Sequence, residues 1–384
     1  MHDKGRGHYN MAVRHTYDIA VLGATAAGYA AAASIAGAGR DVVVVDSPRH
    51  SVECPLLDWA PEDFFALRGL PAQLARKVEA QPFFDVTYHS TALDRRAEYH
   101  ERKAAGYFLA NSALVEALAS AAAKKGAKVR QTATSPAIRL EEDGVQVLGT
   151  SQVSAKVLIV AQNRPEDIIT DLSLPVRNVP QSPIVAAALD IPLAGRAAAK
   201  GLAGALHVVQ SHQRGELAMF FACGNTLHLR VIRSAAVEQQ YADELTGMMT
   251  ALQKAGILPA DLAVKKARGA VWHPPSGVAL ELETHVAKRC LLTGTAGGFA
   301  DSITGATLAT TVKSALLAAQ TAMEALDNPD PQGTLTRYKT SWRRSLAEFL
   351  RPPNTSLAML MPLLFVNSRI AAKFTHALLH GQSI

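Results

Sequence analysis

The stretch from Tyr17 to Asp46 constrains the fold more than any other part of the chain. Tyr17-Asp18-Ile19-Ala20-Val21-Leu22 is an apolar-rich run of strand length, and it runs straight into Gly23-Ala24-Thr25-Ala26-Ala27-Gly28. An alanine-rich segment to about Ala38 reads as a helix that Gly39 closes. Val42-Val43-Val44-Val45 then ends at Asp46. Four consecutive valines suit a strand buried on both faces, as in a parallel sheet with helices above and below. The unit is therefore a compact strand–turn–helix–strand, and it predicts an α/β chain built on a doubly wound, Rossmann-like sheet.

A glycine turn between strand and helix lets backbone N–H groups and the positive helix end face a pyrophosphate. An acid at the end of the second strand accepts ribose hydroxyls. Gly23, Gly28 and Asp46 fill those positions, and Asp46 lies 18 residues after Gly28, near the ~20 expected of a dinucleotide turn. Thr25 stands where such turns carry their middle glycine, so its side chain is expected to push a diphosphate outward or to offer it a hydroxyl. Ala24, Ala26 and Ala27 keep the turn small, and Ser47 follows the acid.

The rest of the chain divides by pattern. Residues 1–16 read as a flexible leader, with no apolar core of signal-peptide length. Cys54 to Tyr107 is irregular and charged, expected to interrupt the sheet domain with helices and loops. Leu109 to Ala122 carries helical spacing, and the runs Ala137–Leu140, Val145–Leu148 and Val157–Ala161 read as a meander returning to the sheet. Residues 204–233 alternate as hairpin strands with turns at 213–215 and Gly224-Asn225, followed by a helix from about Ala242 to Ala255 expected to cover them. Cys290-Leu291-Leu292 reads as one more buried strand, and a small-residue loop from Gly294 to Gly305 opens a long helix to about Leu326. The expected domains are thus 17–170 with 272–328 for the cofactor, 171–271 as an antiparallel substrate domain, and 329–384 as a C-terminal helical region.

Composition narrows the function classes. With 384 residues, 48% apolar and 19% charged, the chain has material for two or three folded domains. Three cysteines without CxxC spacing give neither a zinc framework nor a disulfide set, which suits a reducing, cytoplasmic setting. The formal charge of +6 is dispersed, so nucleic acid is not expected as a partner. No stretch reaches the ~18 consecutive apolar residues of a membrane span. The nearest, Leu357 to Val366, is interrupted by Pro362 and flanked by Arg351 and Arg369. It could bury on the body, dock a protein partner or touch a membrane surface, and burial is the default. No Gly-x-Ser-x-Gly or His-Glu-x-x-His occurs. His228, at a strand position, reads as structural, and His273, in Trp272-His273-Pro274-Pro275, is the better candidate for a pocket wall.

With Gly294-Thr295-Ala296-Gly297-Gly298-Phe299-Ala300-Asp301-Ser302-Ile303-Thr304-Gly305 beside the first turn, the chain resembles the FAD-dependent oxidoreductases of the geranylgeranyl reductase and aromatic hydroxylase superfamily. The resemblance implies that Gly294 and Thr295 lie beside the flavin ribityl and diphosphate. It implies equally that Gly305, Ala306 and Thr307 open a helix whose N–H groups face the isoalloxazine, where they would stabilise the charge of the reduced ring. It further implies NAD(P)H as a candidate electron donor and a small-molecule or lipid-like substrate, apolar or aromatic. Thr295, Ser302 and Thr307 replace the family's aspartate, proline and second glycine, and Gln162-Asn163 replaces Asp-Gly. Cys54 matches only the cysteine of the reductases' Cys-Gly-Gly loop, and Phe221 alone matches their Tyr-x-Trp-x-Phe-Pro. The halogenase Trp-x-Trp-x-Ile-Pro is missing. Two readings follow: a flavin enzyme, or a degenerate, non-catalytic binding protein that keeps the fold.

Overall fold

The computed structural model describes residues 15–46, 56–133, 136–149, 152–162, 172, 184–193, 202–210, 217–234, 241–262, 267–352 and 357–381. In chain order its strands are β1 (Thr16–Leu22), β2 (Val42–Asp46), β3 (Leu57–Pro61), β4 (Gln81–Phe83), β5 (Asp85–His89), β6 (Arg96–His100), β7 (Gly106–Ala110), β8 (Lys128–Gln131), β9 (Ala137–Leu140), β10 (Val145–Leu148) and β11 (Val153–Val160). The second half adds β12 (Ile184–Pro192), β13 (Ala205–Gln210), β14 (Leu217–Cys223), β15 (Thr226–Ser234), β16 (Arg268–Trp272), β17 (Val286–Ala287) and β18 (Cys290–Leu292). The principal helices are α1 (Ala26–Gly37), α2 (Asn111–Lys124), α3 (Tyr241–Lys254), α4 (Leu308–Leu326), α5 (Pro331–Leu350), α6 (Leu357–Leu364) and α7 (Ser368–His380).

The first sheet runs β17-β18-β11-β1-β2-β8, and its five members from β18 to β8 are parallel. The valines of β2 explain why it sits inside. Val42 and Val44 join the core under the helices while Val43 and Val45 join the core on the opposite face. On the helical face α1 packs against α2 and α4. Ala30, Ala31, Ala32 and Ala33 of α1 are fully buried, so this helix is apolar all round and its methyl side chains allow close approach to the sheet. The β9–β10 meander joins antiparallel to β11, as the spacing predicts.

The second sheet runs β16-β12-β15-β14-β13-β5-β6. Its outer face is covered by Leu245, Met249 and Leu252 of α3. The β14–β15 hairpin turns at Gly224-Asn225 as expected, with Gly224 at φ +60° supplying the backbone shape that a side chain resists.

The structure adds strands to the reading of residues 54–107. From Leu57 onward this stretch forms β3 to β7, with short helical turns at Phe64–Ala66 and Leu74–Lys77 between β3 and β4. β3, β7 and β4 make a third sheet, and β5 enters the seven-stranded sheet by parallel pairing with β13, bringing β6 with it. That sheet therefore draws two strands from residues 85–100, far upstream of 171–271. The late helix also begins at Leu308 rather than at Gly305, and Thr16 belongs to β1 rather than to the expected leader. The C-terminal helices pack on the body: Trp342 and Tyr338 of α5 bury against the α4 side, and α7 seats Phe374 edge-on to Tyr88, whose hydroxyl lies 2.7 Å from that of Thr375. Among the described residues no helix is long and apolar enough to cross a membrane.

Candidate functional site

The chain leaves β1, moves outward through β2 and β8, and then returns to β11 on the other side of β1. That reversal opens a crevice at the carboxyl ends of β1 and β11, the place where open parallel sheets bind ligands. Gly23 occupies it with φ +116°, and a β-carbon there would lie 2.7 Å from the Gln162 nitrogen. Gly28 is required for a different reason: a β-carbon on it would overlap the Gly23 carbonyl oxygen. Thr25 caps α1, its hydroxyl accepting from the Gly28 N–H at 3.1 Å and donating to the Ala161 carbonyl at 2.8 Å. The hydroxyl is therefore committed to the turn itself rather than offered to a phosphate. The Ala24, Ala26 and Ala27 N–H groups have no partner among the described residues, so the positive end of α1 still presents donors. Asp46 ends β2, half-buried, with its carbonyl accepting from Thr132.

The second glycine segment arrives at the same place. Thr293 donates its N–H to the Val160 carbonyl, carrying the chain past the end of β11. Gly294, at φ +61°, then turns so closely over α1 that a β-carbon on it would stand 3.3 Å from that of Ala27. The Thr295 hydroxyl lies 3.5 Å from the Gln162 carbonyl. Between the two turns the buried Gln162 side chain leaves Oε1 without a partner among the described residues, a state that buried polar atoms rarely keep without a ligand or water.

Two residues that sequence reasoning missed hold the second turn. Ser314 of α4 accepts from the Gly294 N–H at 3.0 Å and from the Thr293 hydroxyl at 2.8 Å. His285, fully buried among Phe299, Tyr338 and Trp342, donates from Nε2 to the Gly297 carbonyl at 2.8 Å. Its Nδ1 has no partner among the described residues, and burial, with Lys339 and Arg343 adding to it, pushes the imidazole down to about 4. The unfolded histidine takes up a proton as the pH falls through its ordinary value of 6.5, while the folded one refuses it until about 4. Stability is therefore lost as the pH falls through this window, by roughly 2 to 3 kcal/mol from this group at about pH 4.5. His285→Gln, whose amide can still donate to Gly297, is expected to flatten the acid limb of denaturant midpoint against pH. An unchanged limb would contradict the assignment.

At the far end of the loop two of the three expected amides are engaged within the loop itself. The Gly305 N–H donates to the Asp301 carbonyl at 3.1 Å and the Ala306 N–H to the Thr304 hydroxyl at 3.1 Å. Neither amide faces outward, because Asp301 has drawn the loop into a tight knot. Its Oδ1 accepts from the Ile303 and Thr304 N–H groups and the Thr304 hydroxyl. Complete burial raises this carboxyl to about 6 despite those donors. Thr307 is the N-cap residue of α4 without a side-chain cap. Gly305 itself sits against Pro274 and Ile184, which joins the loop to the inner face of the seven-stranded sheet. Ile184, Met219, Phe221 and Trp272 of that face share a core cluster with Ala306, with the buried Arg230 lying over Trp272 beside them.

His273 is exposed while Trp272 and Pro274 are buried. His228 is buried and bonded to Asp190, a structural role. Ser47 and Cys54 lie outside the described residues.

No protein-family model matches the chain, and no curated protein matches it in sequence. Solved structures do match. A geranylgeranyl bacteriochlorophyll reductase-like protein from Thermoplasma acidophilum is 16% identical with a TM-score of 0.74, over 96% of this chain and 97% of that one. p-Nitrophenol 4-monooxygenase PnpA from Pseudomonas putida is 15% identical with a TM-score of 0.66, over 94% of each chain. The halogenase PltM in complex with phloroglucinol and FAD is 16% identical with a TM-score of 0.65, over 87% of this chain and 73% of that one. The chain has the mixed α/β fold of these proteins.

Proposed function

We propose that this chain is an FAD-dependent oxidoreductase, acting by reduction or hydroxylation on an apolar or aromatic small molecule. The observation that carries the reading is the meeting of two glycine turns, 266 residues apart from Gly28 to Gly294, at the crevice between β1 and β11. The same fold in a halogenase solved with FAD supports it. In this reading the Ala24, Ala26 and Ala27 N–H groups hold the diphosphate, Asp46 accepts from the adenosine ribose, and Gly294, Thr295 and the orphaned Gln162 side chain line the remainder. FAD would supply hydride or oxygen chemistry once bound, with NAD(P)H as the proposed donor. The apolar wall of Ile184, Met219, Phe221 and Trp272 would orient the substrate and exclude water. Residues 17–170 and 272–328 would then serve the cofactor, 171–271 with β5 and β6 the substrate, and 329–384 would brace both.

The purified protein is expected to be yellow, or to become so on taking up added FAD. Colourless protein that fails to bind FAD would leave the degenerate, non-catalytic alternative standing in its place. Asp46→Ala is expected to weaken FAD binding by roughly 1.5 to 3 kcal/mol, the worth of a charge-assisted hydrogen bond. Titration of flavin fluorescence measures this, and an unchanged dissociation constant would remove Asp46 from the site.

A further inference from the structure

We propose that the exposed face of α6, with the start of α7, docks this protein onto an anionic lipid bilayer. α6 is apolar on both sides. Leu357, Met361 and Leu364 bury in the core shared with Phe374 and Trp272. Met359, Pro362, Leu363 and Val366 look the other way, into solvent. Their spacing of three, four and seven residues makes them one face of a helix rather than scattered exposures. Met359 is 69% exposed and Val366 73%. Only three other large hydrophobic side chains are exposed among the described residues, Leu56, Val129 and Val271, and none of them is on α6 or α7. The clustering on α6 and the turn that follows it therefore calls for a partner.

Charge decides which partner. From Phe349 to Ile384 the chain has no Asp or Glu, while Arg351, Arg369 and Lys373 are all exposed. Arg95 adds a guanidinium 5.5 Å above the Phe365 ring at the end of α6. Asp94 on this rim accepts from Ser90 and Glu348 pairs with Arg351, which leaves Arg95, Arg369 and Lys373 as its free cations among the described residues; Glu62, Asp63 and Glu101 lie around the far end of α7, near His380. An apolar helix face with a basic edge, too short to cross a bilayer, matches a helix lying at the headgroup boundary of an anionic surface. A second copy of the chain, seated face to face about a two-fold axis, would set the same cations against one another. The inference stands apart from the cofactor reading, since no residue of the proposed FAD site takes part.

Flotation of the full chain with vesicles tests it. The protein is expected to float with vesicles of phosphatidylcholine mixed with phosphatidylserine, less with phosphatidylcholine alone, and less again as salt is raised. Met359→Ser/Leu363→Ser/Val366→Ser should abolish flotation, and circular dichroism melts should match the wild type because all three side chains face solvent. Arg369→Gln/Lys373→Gln, which leaves the apolar face untouched, should weaken binding roughly fivefold per charge removed. Failure of the wild-type chain to float with either vesicle would overturn the proposal. So would undiminished flotation of the triple variant. Sedimentation showing a dimer that the same substitutions dissolve would assign the face to a second copy instead, and flotation lost only with an acidic protein present would assign it to that protein.

Discussion

Gly28→Ala is expected to destabilise the protein by about 3 kcal/mol and to abolish FAD binding at micromolar cofactor. The added methyl has nowhere to go: it would overlap the Gly23 carbonyl oxygen and press on Val21. Val21 belongs to β1, Gly23 follows directly on it, and Gly23 is itself hemmed in by the Gln162 backbone. Relief must come from moving α1 off the sheet, which loosens the buried alanine row and swings the Ala24, Ala26 and Ala27 amides away from the crevice. One substitution should therefore cost both stability and affinity. Gly247→Ala on α3 is the control. Its β-carbon meets open space, so removing a glycine from a helix interior should stabilise by roughly 0.5 to 1 kcal/mol. Guanidinium denaturation and flavin titration of both variants decide the matter. A Gly28→Ala protein with wild-type midpoint and affinity would refute the packing argument.

The contrast between these two glycines shows what a sequence can and cannot disclose. The turn from Gly23 to Gly28 was legible because all its determinants are local: strand, glycines, alanine helix and a second strand within thirty residues. The meander and the Gly224-Asn225 hairpin were legible for the same reason. β5 was not, since five residues reading Asp85-Val86-Thr87-Tyr88-His89 join a sheet by parallel pairing with β13, 120 residues later at Ala205. No local period encodes such a register. The loop before α4 was legible in outline but not in its internal hydrogen bonding. Its glycines matched a pattern, but Asp301, unremarkable in the sequence, captures the local donors and turns the Gly305 and Ala306 amides inward. A carboxylate two to four residues ahead of a glycine is a signal for such a knot, one worth weighing against the pattern. Ser314 and His285 carried no sequence signal at all, because their work is done across the core.

The largest effect on stability is expected from Arg230→Met, about 3 to 5 kcal/mol, because it strands a charge. Arg230 and Asp58 are each 1% exposed, and the guanidinium meets the carboxylate at 3.0 Å across the seam between the seven-stranded and three-stranded sheets. Its Nε donates to His228 Nε2 at 3.3 Å, and His228 Nδ1 donates to Asp190 at 2.8 Å. That relay requires the neutral ring, and burial accordingly holds the His228 imidazole below its ordinary range. The Trp272 ring lies 5.1 Å beneath the guanidinium and screens it further. Removing the cation leaves the buried Asp58 carboxylate with only the Trp59 N–H as donor and takes the donor from His228. Replacing both ends, as Asp58→Asn/Arg230→Met, removes the stranded charge, so the double variant is expected to be more stable than Arg230→Met alone by about 1 to 3 kcal/mol. Guanidinium midpoints of the two single variants and the double close the cycle. Additivity within about 0.5 kcal/mol would mean that the two charges do not see each other. The interaction would then belong to Trp272 and the Leu57 carbonyl, the other groups against which Arg230 rests.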